Sequence, residues 1–204
     1  MTQLLKVHPE NPQRRLLQVA VEALQRGGLV VYPTETAYAV ACHIGDKSAL
    51  ERIVALRRLS KRHQFTLACR DLSEIATYAR VDNSAYRLLK RYTPGPFTFV
   101  LRATREVPKR LVHEKRRTIG MRVPEHTIAQ ALLELMGEPL MTTTLRLPDD
   151  AYPLSDADEI YEKLSKVVDV VIDGGACGLE SSTVVDLTDT PPVVLREGKG
   201  KIEL

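Results

Sequence analysis

Three segments of this 204-residue chain place polar or cationic side chains inside otherwise apolar surroundings. Tyr32-Pro33-Thr34-Glu35-Thr36 follows directly on the apolar run at residues 29–32. Pro33 restricts the residue before it and interrupts strand pairing, so three polar side chains emerge at a strand end. Two readings are open there: a ligand held by Thr34 or Thr36, or an ordinary strand exit. Arg122 lies within Ile119-Gly120-Met121-Arg122-Val123-Pro124. A guanidinium buried in such a strand must be paired, so Arg122 is either half of a structural ion pair or a clamp for a carboxylate or phosphate. Gly174-Gly175 and Gly178, followed by Ser181-Ser182-Thr183, form a loop rich in backbone donors that can cradle a phosphate. The loop has neither the P-loop lysine nor the G-x-G-x-x-G spacing. Arg196, which ends Val193-Val194-Leu195, is close enough in sequence to reach the same pocket. The chemistry common to these groups is the holding of anions.

The charge distribution agrees. The formal net charge is +3, yet residues 57–122 hold 17 Lys and Arg against 5 Asp and Glu, leaving a deficit of 9 charges for the rest of the chain. Segregation of this kind focuses a potential that attracts phosphates or polyanions. Aromatic residues make up 5% of the chain and Trp is absent, which argues against a base-stacking platform. A nucleic acid bound here would be held through its phosphates and read by shape. No G-x-S-x-G, H-E-x-x-H or C-x-x-C occurs, and the five histidines lack metal-ligand spacing, so no metal site is expected. Cys42, Cys69 and Cys177 are odd in number and far apart, as expected of reduced core thiols in a cytoplasmic protein. No apolar run is long enough for a membrane span.

Helix-like and strand-like periodicities alternate along the chain and must position these groups. Helices are expected at residues 13–26, closed by Gly27-Gly28, and after an Asp46 cap. Others are expected at 71–78, at 83–91, from Pro124 in a first-turn position to Met136 before Gly137, and from a Ser155/Asp158 capping box to residue 166. Strands are expected at 29–32, 65–69, 97–101, 118–123, 140–144, 167–172, 183–187 and 193–196. Thr93-Pro94-Gly95-Pro96-Phe97-Thr98 is read as a structural corner. The pattern implies a single α/β (or α+β) domain over residues 1–204, with its core at about 14–198, and leaves the strand order open.

The segments together resemble the YrdC/YciO family of threonylcarbamoyl-adenylate synthases. Five motifs carry the resemblance: Tyr32-Pro33-Thr34-Glu35-Thr36-Ala37-Tyr38, Thr93-Pro94-Gly95-Pro96-Phe97-Thr98, Met121-Arg122-Val123-Pro124-Glu125-His126, Ser181-Ser182-Thr183-Val184-Val185-Asp186 and Leu195-Arg196-Glu197-Gly198. Residues 65–74 look like the YciO branch. The resemblance implies a twisted open mixed sheet flanked by helices around a large basic cavity. It implies ATP, L-threonine and bicarbonate as substrates, a magnesium ion accompanying ATP, and a product that feeds threonylcarbamoyladenosine modification of tRNA. It also implies binding of double-stranded RNA or tRNA.

Residue by residue, the resemblance puts Thr34, Thr36, Arg122 and Ser182 on threonine. It puts Arg57, Thr118, Thr144, Arg146 and Arg196 on the nucleotide, with Arg57, Arg122 and Thr144 catalytic. The basic residues Arg58, Lys61, Arg62, Lys109, Arg110, Lys115, Arg116 and Arg117 are the RNA-binding candidates. The chain departs from the family's K-x-R-P at Arg57-Arg58-Leu59-Ser60 and from its S-x-N at Thr144-Leu145-Arg146. His63-Gln64 replaces the usual Asn-Pro, and Ala68 replaces a threonine-contacting His. Loss of the second basic residue at Leu59 removes a donor worth ~2–4 kcal/mol of transition-state stabilisation. Arg146, on the opposite wall, is the cation that can replace it. The rival expectation is an RNA- or ribosome-binding protein that kept the fold with little or no synthase activity.

Overall fold

The computed structural model describes every residue except Lys61. In chain order its elements are β1 (Gln3–Lys6), α1 (Arg14–Gln25), β2 (Val30–Tyr32), β3 (Ala39–His43), α2 (Lys47–Arg57), β4 (Thr66–Ala68), α3 (Leu72–Tyr78), α4 (Asn83–Tyr92) and β5 (Phe97–Arg102). A short 3₁₀ turn at Lys109–Leu111 precedes β6 (Thr118–Arg122), α5 (Thr127–Met136), β7 (Leu140–Thr144), α6 (Ala157–Leu164), β8 (Val170–Asp173), β9 (Thr183–Asp186) and β10 (Val193–Arg196). Among the described residues the strands form one mixed sheet in the order β1-β8-β2-β3-β7-β4-β6-β5-β9-β10.

Four of the helices start on an aspartate cap. Asp46 accepts a hydrogen bond from the Ala49 backbone N–H at 2.8 Å, and Asp71, Asp82 and Asp156 do the same for α3, α4 and α6. Gly137, with φ of 75°, ends α5 in the left-handed region that glycine adopts without strain. Strand alternation then sorts side chains onto two faces. On one face Val31, Val40, Leu67, Phe99, Met121 and Met141 join the larger core beneath α2, α3, α4 and α6. On the other, Val30, Tyr32, Ala41, Leu140 and Ile172 are roofed by α1 and α5, whose Leu17, Leu24, Ile128 and Leu132 are fully buried. That roof covers the β1-β8-β2-β3 side of the sheet and stops near the N-terminal end of β7. Beyond it the same face continues across β7, β4, β6, β5 and β9 and carries Thr142, Thr66, Gly120, Val100 and Val184. This unroofed floor is where the site forms.

Several boundaries differ from the sequence expectation. The helix expected to begin at Pro124 begins at Thr127, because His126 Nδ1 accepts the Ile128 N–H at 3.2 Å and the Pro124 carbonyl is taken by Gln130 Nε2. The cap of α6 is Asp156, not Ser155, and it bonds the Glu159 N–H at 2.9 Å. Two strands had no sequence expectation. β1 pairs in parallel with β8, outside the expected core, and buries Leu5. β3, buried through Cys42, pairs with β2 and β7. Cys42 and Cys69 are buried but Cys177 is only half-buried; all are free. Burial pushes the Cys42 thiol up to about 12 and Cys177 to about 11, so both stay protonated at neutral pH. No described helix is long and apolar enough to cross a membrane.

Helix α2 delivers Arg57 from its last turn to the floor, so its first turn is a remote control on the site. We predict that Asp46→Ala costs about 1 kcal/mol, the usual worth of a cap. Thermal unfolding should show this as a Tm roughly 2–4 °C lower. An unchanged Tm would mean the cap contributes nothing to holding α2.

Candidate functional site: an arginine-lined cleft

The unroofed floor is a cleft of about 300 Å³. Mostly even-numbered residues of the strands supply it: Thr66 from β4, Thr98 and Val100 from β5, Arg122 from β6, Thr142 and Thr144 from β7, with Thr143 between them. The odd neighbours Phe97, Phe99 and Met121 point into the apolar core, so one alternation builds both the core and the site. Gly120 lies centrally on the floor. A Cβ there would stand 2.5 Å from Thr66 Oγ1 and 3.1 Å from the Phe65 carbonyl oxygen, so the absence of a side chain is what lets β4 and β6 present a level surface.

Among the described lining residues four are arginines (Arg57, Arg122, Arg146 and Arg196) and none is a carboxylate. Arg122 is 6% exposed. Its Nη2 donates to Glu35 Oε1 at 2.5 Å and lies 3.5 Å from Thr36 Oγ1. Its Nε has no partner among the described residues although it is buried, and the same holds for Glu35 Oε2. Of the two open readings of Arg122, the structure shows the ion pair, made to Glu35. An unmade bond such as that of its Nε carries a desolvation cost of ~1–3 kcal/mol, more for charged groups.

Arg196 and Arg57 are held by backbone carbonyls. Arg196 donates from Nε (3.2 Å) and Nη2 (2.8 Å) to the Ser182 carbonyl, and the Ser182 hydroxyl shares a hydrogen bond of 2.8 Å with Thr98 Oγ1. The loop holding Ser182 is pinned in turn by Gly198, where any Cβ would collide with the Ser181 carbonyl; this close approach is why the Arg196-Glu197-Gly198 segment needs glycine. Arg57 Nη1 donates to the Arg146 carbonyl, which ties the end of α2 to the segment after β7. Burial, followed by the nearby Arg122 and Arg146 charges, lowers the Arg196 pKa; burial and Arg146 do the same to Arg57. Both guanidinium groups stay charged at neutral pH, so their mutual repulsion favours a bound anion.

The structure gives the remaining candidates different settings. Thr34 spends its hydroxyl on the turn: it donates to the Ala37 carbonyl at 2.6 Å and accepts from the Thr36 and Ala37 N–H groups at 3.2 Å. Thr36 lies between Thr34 and Arg122. Thr118 is buried and donates to Gln64 Oε1 at 2.7 Å, so it reaches the cleft only through Gln64. Arg58 pairs loosely with Asp149 at 3.7 Å, Arg110 donates to the Gly45 carbonyl, and Arg116 is ion-paired to Asp186. Arg62 and Lys115 are exposed, Lys109 and Arg117 line a separate groove, and Lys61 lies outside the described residues. The basic candidates, drawn from the two stretches 58–62 and 109–117, therefore have different partners and settings.

Sequence reasoning missed the Glu35 partnership, the threonine floor and Lys199, whose Nζ reaches the Glu35 carbonyl. Alternation of Thr98 with Phe97 and Phe99 was a usable signal for the floor. Lys199 had none.

Residues 22–198 match the Sua5/YciO/YrdC family model, described as telomere recombination. The chain belongs to this family. It is 54% identical over its whole length to the Escherichia coli K12 protein named uncharacterized protein YciO, covering 98% of that protein. The crystal structure of E. coli YciO superposes with a TM-score of 0.96 over 98% of both chains, at 55% identity. A protein named threonylcarbamoyl-AMP synthase from Pyrococcus abyssi is 31% identical over 97% of the chain, which spans 58% of it. The crystal structure of P. abyssi Sua5 complexed with L-threonine superposes with a TM-score of 0.88 at 29% identity, over 97% of this chain and 58% of that one.

The cleft also predicts a pH response. Burial, then the Arg57 charge, lowers the His63 pKa; burial outweighs Glu35 in lowering that of His126. Unfolded imidazoles titrate near pH 6.5, so just below that pH the unfolded chain binds more protons than the folded one. Stability is therefore lost as the pH falls from about 6.5 through the folded values, and protonation also takes from His126 Nδ1 its bond to the α5 N-terminus. Tm should drop between pH 7 and pH 5, and the drop should be smaller in His63→Gln; identical drops would contradict this assignment.

Proposed function

We propose that the cleft forms threonylcarbamoyl-AMP from ATP, L-threonine and bicarbonate, for threonylcarbamoyladenosine modification of tRNA. The observation that carries this reading is the pairing of one buried, half-satisfied guanidinium with three further arginines in a cleft free of described acidic lining residues. Relatives named threonylcarbamoyl-AMP synthase, and the relative crystallised with L-threonine, support it.

In this reading Arg122 takes the threonine carboxylate, with Thr36 and Ser182 beside it. The threonine ammonium group and bicarbonate give a carbamate, releasing water and a proton to solvent. A carbamate oxygen then bonds to the α-phosphorus of ATP as the bond to the bridging oxygen breaks, and pyrophosphate leaves. Arg57, Arg146 and Arg196 neutralise the phosphate oxygens as charge moves to the leaving group, which is electrostatic catalysis by preorganised donors. Thr144 supplies a hydroxyl on the same wall. Leu59, at the family's second basic position, packs against the apolar core, so its replacement cation has to come from elsewhere; Arg146, whose side chain lines the cleft, fills that role in this reading. The described lining residues hold no carboxylate, and no cluster of three potential metal ligands occurs among the described residues. This donor set does not fit a protein-held magnesium ion, and no step is routed through one.

The test is pyrophosphate release by purified protein supplied with ATP, bicarbonate and single amino acids. Threonine-dependent release should be lost in Arg122→Ala and reduced on the order of 10²-fold in Arg146→Ala, the scale of one preorganised donor. Release that is equal with and without threonine would contradict the reading. The second reading, binding of duplex RNA or tRNA without fast synthesis, draws on the exposure of Arg58, Arg62 and Lys115. Its signature is RNA affinity that falls steeply with salt, in protein that releases no pyrophosphate.

A further inference from the structure

The positive charge of residues 57–122 does not all serve the cleft. A second hollow of about 620 Å³ opens at the far end of the β5–β6 pair and shares no lining residue with the cleft. Five cations line it: Arg80, Arg102, Arg105, Lys109 and Arg117. They come from separate stretches of chain, yet the backbone binds those stretches together. The Arg80 N–H donates to the Arg102 carbonyl at 2.8 Å, and the Ala103 N–H donates to the Arg117 carbonyl at 3.0 Å. Ala79 and Ala103 form an isolated antiparallel bridge beside them. Arg117 adopts φ of 57°, an uncommon conformation for a residue with a side chain, held by its N–H to the His113 carbonyl. The floor is apolar: Val107 is buried, and Ala103 and Val112 are half-buried. Only Arg102 has a carboxylate partner among the described residues, Asp189 at 3.2 Å, and that pair is exposed.

Cations that face one hollow repel each other, and bound oxyanions relieve that repulsion. We propose that this groove is a second anion site, separate from the cleft, that takes a compact chain of phosphates such as inorganic polyphosphate or the phosphate tail of a nucleotide. The phosphodiester backbone of a nucleic acid presents the same oxyanions, but along a line that a row of cations would follow. Here the cations surround a hollow of small-ligand size, which suits a short phosphate chain. Because the groove cations are exposed, this site should weaken with salt more than the buried arginines of the cleft.

Calorimetric titration of the full chain with inorganic tripolyphosphate tests the proposal. Arg105 and Lys109 are both exposed, so charge reversal there leaves the core intact. The wild type should show two classes of site, and Arg105→Glu/Lys109→Glu should weaken one of them at least about tenfold, leave the other unchanged and keep the wild-type Tm. Should reversal disturb folding, Arg105→Gln/Lys109→Gln gives the same reading with a smaller change. An isotherm that the substitutions do not alter overturns the proposal. So does a loss of affinity for a short RNA duplex while tripolyphosphate binding is untouched, since the groove would then be a nucleic-acid surface.

Discussion

A guanidinium inside a β-sheet must be neutralised, and this requirement organises the molecule around Arg122. Its partner Glu35 comes from the turn after β2, across the sheet in sequence and in strand order. The contact forms only when β2, β3, β7, β4 and β6 lie in their observed order, so the ion pair reports the topology as well as the site. Removing one partner from a buried pair costs ~3–5 kcal/mol because the other charge is left stranded. A pair joined through one oxygen and one terminal nitrogen is also incomplete. The unpaired Nε of Arg122 and Oε2 of Glu35 keep part of that cost.

The rest of the architecture decides where that charge is exposed. Helices α1 and α5 cover one side of a sheet face with leucine and isoleucine, then end. On the uncovered side the same alternating positions carry threonine, glycine and arginine among two valines. The opposite face is mostly apolar and anchors the strands to α2, α3, α4 and α6. The floor can therefore be polar without loss of the sheet, because every strand that lines it is held from behind. Ser182 and Arg196 enclose the far end through hydrogen bonds to backbone, which fixes their geometry before any ligand arrives.

Much of this was legible in the sequence because it is local. Helix caps at Asp46, Asp71 and Gly137, the alternation in β5 and β6, and a lone arginine in an apolar strand are all read within a few residues. What was not legible depends on partners distant in sequence. β3 has no alternation because it is buried on both faces, and β1 has meaning only beside β8. Thr34 and Thr36 are neighbours in sequence, yet the fold gives one a turn to close and sets the other beside Arg122. The basic block shows the limit most clearly: its cations were grouped by charge alone, whereas the fold pairs Arg58 with Asp149, Arg116 with Asp186 and sets Lys109 and Arg117 in a separate groove. Periodicity could not show that Arg122, Ser182 and Arg196, far apart in sequence, line one cleft.

The central claim is that the spare donor of Arg122 receives a carboxylate. The most direct measurement is calorimetric binding of L-threonine against L-threoninol, which keeps the amine and both carbon substituents but lacks the carboxylate. The account predicts that threonine binds and that threoninol binds at least about tenfold more weakly, since a charge-assisted bond contributes more than ~1.4 kcal/mol. Equal affinities for the two would show that Arg122 does not hold a carboxylate.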